Sequence, residues 1–104
     1  MEIQGNSFVI TFNCNMDDLF LMEIKSKGCV LGAILTIKNE IKIEINFYDP
    51  TRFKQEMEDE IDCYDFFYLE NAVIIKEITI DEILVAVDSI VSKKVYERMV
   101  KLNF

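Results

Sequence analysis

The chain contains no histidine and no tryptophan. Without an imidazole it lacks the commonest general acid–base and the commonest metal ligand. Ser–His and Cys–His nucleophile systems are excluded outright. Glycine is scarce, and Gly5, Gly28 and Gly32 stand apart, so no glycine-rich phosphate loop can form. No G-x-S-x-G elbow is present. Three cysteines, Cys14, Cys29 and Cys63, are an odd number with no CxxC pair. That count fits free thiols in a reducing compartment, each a small core-filling hydrophobe. They lie too far apart in sequence to suggest zinc.

Basic residues are also few: 11 Lys and Arg stand against 19 Asp and Glu. A nucleic-acid binder needs a basic track. The one basic cluster, Lys93, Lys94, Arg98 and Lys101, falls late in a predicted helix, where the helix dipole accounts for it. No apolar run is long enough to span a membrane. The start, Met-Glu-Ile-Gln-Gly-Asn, lacks the basic and apolar regions of a signal peptide. The expectation is a cytoplasmic protein without catalytic residues, cofactor, metal, nucleic acid or membrane partner, its oligomeric state open.

What the chain does have is apolar residues. They make up 51% of 104 positions and include eight Phe and four Tyr. One domain, residues 1–104, can therefore bury roughly 60–70% of its unfolded surface without disulfides.

The first half reads as strands. From Ser7 to Cys14, Phe8, Ile10, Phe12 and Cys14 share a face. Asn15-Met16-Asp17-Asp18 suits a turn, and Leu19–Lys25 is a less regular second strand. Gly28 closes the next turn at positive φ. Cys29–Ile37, apolar on both faces, reads as a central strand, with Gly32 marking a bulge or close packing. After Lys38-Asn39-Glu40, Ile41, Ile43, Ile45 and Phe47 alternate with Lys42, Glu44 and Asn46, giving one dry face and one wet face.

The period then changes. Asp49 can cap a helix with Pro50 at its first position, and Phe53, Met57 and Ile61 form one inward stripe to an end near Asp62 or Cys63. Phe66–Glu70 and Ala72–Glu77 are two short strands around Glu70-Asn71, or an irregular approach followed by one buried strand, Ala72–Ile75. Thr79 with Glu82 makes a capping box. The helix after it either runs to Leu102, about 34 Å, or breaks near Ser92-Lys93-Lys94. The fold class is α+β: a mainly antiparallel sheet of five or six strands, opening with a four-strand meander, and two helices packed on one face.

The net charge of −8 is concentrated. Residues 49–70 carry −6, residues 1–48 carry −2, and residues 71–104 are neutral. Glu56, Glu58, Asp59, Glu60 and Asp62 flank the helical stripe, and Asp65 extends the field. Like charges at i,i+4 and acids near the helix end cost a few tenths of a kcal/mol each. With Tyr64 and Tyr68 as ring anchors, these residues form a candidate docking surface for a basic protein. The plain alternative is a solvated face that favours solubility. Glu58-Asp59-Glu60-Ile61-Asp62 lacks the spaced ligands and central glycine of a calcium loop.

The stretch FYDPTRFKQEMEDEI, Phe47–Ile61, with FFYLENAVIIKEITIDEI, Phe66–Ile83, resembles segments of small bacterial proteins akin to the immunity partners of toxin systems. That resemblance implies a toxin-neutralising binder and assigns no individual residue. Two other readings stand beside it. One is a nucleic-acid mimic of the anti-restriction or anti-CRISPR type, whose carboxylates stand in for phosphates. The other is a small structural or assembly subunit, joined through an edge strand such as Ser7–Cys14.

Overall fold

The computed structural model describes residues 2–13 and 17–102. In chain order the elements are β1 (Glu2–Gln4), β2 (Phe8–Thr11), α1 (Asp18–Lys27), β3 (Cys29–Ile37), β4 (Ile41–Tyr48), α2 (Pro50–Tyr64), β5 (Ala72–Ile74) and α3 (Ile80–Ser92). A 3-10 turn, Val95–Arg98, follows. The fold is α+β, and one sheet holds all five strands in the order β1-β2-β3-β4-β5. The first four pair antiparallel; β5 runs parallel to β4, which α2 joins to it.

Register explains the core. Ile10 lies opposite Leu35, and Leu35 opposite Ile43. Ala33 faces Ile45, and Phe47 faces Val73. Directly opposed residues share a face, so these side chains make one continuous apolar layer. Ile24 of α1 and Ile83, Val87 and Ile90 of α3 complete that cluster. The other face carries Thr36, Lys42, Glu44, Asn46 and Tyr48; Lys42 and Glu44 are exposed as the expected wet face requires, but Asn46 and Tyr48 are buried.

The first four strands do run antiparallel in chain order, but they are not the four expected. Leu19–Lys25 lies within helix α1, not in a strand. Asp17 Oδ1 accepts the Phe20 N–H at 2.8 Å, and Gly28, at φ +74°, returns its N–H to the Ile24 carbonyl. Lys25 and Lys27 complement the dipole in the last turn. The helical period is hard to read because Leu19 and Met22 point outward and Ile24 alone is buried. A short strand, β1, takes the outer place in the sheet instead.

Further corrections concern the second half. Three helices are present where two were expected. Strand alternation sets Tyr48 on the opposite face from Phe47, and α2 packs there: Phe53 meets Tyr48 edge to face at 5.6 Å. No side chain of α2 is fully buried, and Ile61 at the end of its stripe is exposed. Phe66–Glu70 forms no strand. Ala72–Ile74 does, as the irregular-approach alternative anticipated, but as a half-exposed edge. Helix α3 stops at Ser92, with Lys94 left-handed at φ +56°, so the break is the outcome and the long helix is not. Cys14 and the turn residues Asn15 and Met16 lie outside the described residues.

Several local readings hold. Asp49 Oδ1 accepts the Arg52 N–H at 2.7 Å, and Pro50 opens α2. Thr79 Oγ1 accepts the Glu82 N–H, although the Glu82 carboxylate pairs with Lys76 at 3.4 Å. Gly32, at φ +72°, sits in the β3 bulge between Val30 and Ala33.

Gly28 joins α1 to α2. Its carbonyl accepts the Asp49 N–H at 2.8 Å, and an added Cβ would lie 2.6 Å from Asp49 Oδ2 and 2.9 Å from Arg52 Cβ. Gly28→Ala should therefore cost about 2 kcal/mol or more, from strain at positive φ plus overlap with the α2 cap. Asp49→Ala should cost about 1 kcal/mol, and the two should be non-additive because they share a contact. Urea denaturation of the variants measures all three; additive losses would contradict the shared hub.

Candidate acidic–aromatic surface

The candidate site spans α2 and the segment leading to β5. At 3.6 residues per turn, Phe53, Met57 and Ile61 fall on one side of α2. Glu56 and Glu60 flank one edge of that stripe; Glu58 and Asp62 flank the other. Glu56 and Glu60 are half-buried toward the sheet, while Glu58, Asp59 and Asp62 are exposed. Arg52 pairs with Glu56 at 3.3 Å and Lys54 approaches Glu58 at 4.0 Å. Both pairs are solvent-accessible and contribute little to stability. Asp65 closes the helix in the left-handed conformation at φ +71°, its N–H donating to the Ile61 carbonyl at 2.9 Å.

Beyond Asp65 the chain alternates. Phe66, Tyr68 and Glu70 are exposed; Phe67 and Leu69 are half-buried. Phe67 fixes the phase by meeting Phe53 edge to face at 5.5 Å. Tyr64 is 64% exposed, Phe66 65% and Tyr68 71%, so three rings within five residues face solvent. The Tyr68 hydroxyl donates to Glu70 Oε1 at 3.3 Å. Tyr64 and Tyr68 are thus exposed as expected, next to the exposed acids Asp62 and Asp65. Phe66 escaped the sequence reading. In FFYLE four consecutive apolar residues hide the period-two alternation that the folded chain reveals.

The segment is anchored from behind. Asn46, the buried polar side chain of the sheet, donates from Nδ2 to the Glu70 carbonyl at 3.2 Å and accepts the Gly32 N–H at 3.0 Å. Asn71 Nδ2 donates to the carbonyls of Glu44 and Val100, and its Oδ1 accepts the Val100 N–H. A cleft of about 330 Å³ lies here, with Glu44, Tyr68, Glu70 and Val100 in its wall. The amides of both asparagines are engaged in holding the chain together.

Beneath α2, burial pushes the Tyr48 phenol above its ordinary pKa, and the Glu56 carboxylate reinforces the rise. Burial likewise raises the Cys29 thiol; Arg52 opposes the shift and Glu56 adds to it. Cys63 is exposed. Among the described residues no group of three His, Cys, Asp or Glu side chains converges to hold a metal ion, and no helix is long and apolar enough to cross a membrane. The chain matches no protein-family model, no curated protein and no solved structure.

The raised pKa values have a consequence for stability. Near neutral pH both groups are protonated in the folded and unfolded chain alike. At higher pH the unfolded chain loses these protons first, so stability should fall as pH rises toward the folded-state values. Urea denaturation across the alkaline range measures the decline. Tyr48→Phe should flatten part of it, and an unchanged slope in that variant would contradict the assignment.

Proposed function

We propose that this chain is a non-enzymatic binding protein that docks a basic protein partner through α2 and the segment after it. The observation that carries the reading is the exposure of Tyr64, Phe66 and Tyr68 beside the exposed carboxylates of Glu58, Asp59, Asp62 and Asp65. Rings left in water at the cost of hydrophobic burial are interface material. Clustered carboxylates steer a positive surface toward them and select against negative ones. The specific form we favour is an immunity-type protein that neutralises a toxin enzyme by occluding its basic site, in keeping with the resemblance of Phe47–Ile61 and Phe66–Ile83. The carboxylates of α2 wrap around the helix on both sides of its stripe, which gives the nucleic-acid-mimic reading no single phosphate-like track.

The test begins with capture of the partner from the native host and measurement of its association rate. Replacing Glu58, Asp59 and Asp62 together by Lys should slow association on the order of 10- to 100-fold and flatten its dependence on salt. The variant should keep its fold, because these side chains are exposed. Unchanged association kinetics would remove the charge-led mechanism. For the immunity form, coexpression should restore growth to cells producing the partner; a partner without toxicity would refute that form alone.

A further inference from the structure

The exposed rings present a ladder more specific than a hydrophobic patch. Phe66, Tyr68 and Glu70 are exposed at alternate positions. Phe67 and Leu69, turned inward between them, set that phase. Tyr64 closes α2 just before it, and the Tyr68 hydroxyl contacts the Glu70 carboxylate. Exposed rings and exposed acidic residues are therefore interspersed along one short stretch of chain.

The electrostatics favour a cation at this place. Helices α1 and α3 have lysines at their C-terminal ends: Lys25 and Lys27 on α1, Lys93 and Lys94 after α3. Helix α2 has no basic residue in its last turn and carries Asp62 and Asp65 there instead. Its dipole thus adds partial negative charge to theirs and is not offset within the helix. Among protein cations, guanidinium fits rings flanked by carboxylates best. It is planar and weakly hydrated, stacks on an aromatic face and still donates a fork of hydrogen bonds to a carboxylate. Ammonium offers a point charge that holds its water more tightly.

We infer that the Tyr64–Glu70 ladder is an arginine-recognition surface, selecting a partner segment that presents Arg and not merely positive charge. This rests on the docking reading above and deepens it. The test uses two synthetic peptides of equal length and charge, Arg-Gly-Ser repeats and Lys-Gly-Ser repeats, titrated into the full chain at physiological ionic strength. Binding is followed by backbone amide shifts. The Arg peptide should bind about tenfold more tightly, with the largest shifts between Asp62 and Glu70. Phe66→Leu keeps the apolar bulk of an exposed side chain and removes its π face; it should weaken binding of the Arg peptide more than that of the Lys peptide and so erode the Arg preference. Equal affinities would overturn arginine recognition while leaving the acidic surface standing. Arg preference unchanged in Phe66→Leu and in a Tyr64→Leu, Tyr68→Leu double variant would overturn it as well. Failure of both peptides to bind would overturn this inference and the docking reading together.

Discussion

The arrangement depends on one buried amide. Asn46 is buried on the face of β4 opposite the hydrophobic layer, where its side chain accepts a hydrogen bond from the bulge at Gly32 and donates one to the Glu70 carbonyl. Its own N–H donates to the Asn71 carbonyl at 3.1 Å. Leaving a buried polar group unpaired costs about 1–3 kcal/mol, so three pieces of chain must meet at this point. The β3 bulge, the end of the exposed ladder and the start of β5 are thereby fixed relative to one another. Asn71 passes the constraint on: left-handed at φ +52°, it holds Val100, and Leu102 reaches the Lys42 carbonyl at 2.8 Å.

That anchoring lets the acidic segment be presented without being buried. The hydrophobic layer lies on the opposite face, where α1 and α3 cover the strands. Helix α2 is held at its start by Asp49 and Gly28, through its first turns by Phe53 on Tyr48 and Phe67, and beyond its end by the asparagine pair. It contributes no fully buried side chain. Few buried contacts and solvent-facing backbone place such an element at the low end of the local stability range. Charge repulsion along α2 can be tolerated because its ends, not its flanks, hold it.

Much of the sheet was legible because Ile41–Phe47 alternates strictly and because Gly28 and Gly32 mark the α1 cap and the β3 bulge, where positive φ is needed. Caps at Asp49 and Thr79 were equally readable, since the donor and acceptor lie within one turn. Helix α1 was not. Leu19 and Met22, the residues that should have marked its face, point to solvent, so the pattern resembled a poor strand. The parallel placement of β5 depends on Asn46 and Asn71 meeting across 25 residues of sequence, which no local pattern encodes. For the candidate site, the acids were visible as charge, and Tyr64 and Tyr68 as exposed rings. Phe66 was hidden because phase in FFYLE is set by Phe67 packing on Phe53, a tertiary contact.

Amide hydrogen exchange in Asn46→Leu tests the central claim most directly. The account predicts that Gly32, Val100, Leu102 and the β5 amides lose protection together while α3 and the β3–β4 pairing keep theirs. A uniform loss across all strands and helices, or unchanged protection at Val100 and Leu102, would contradict it.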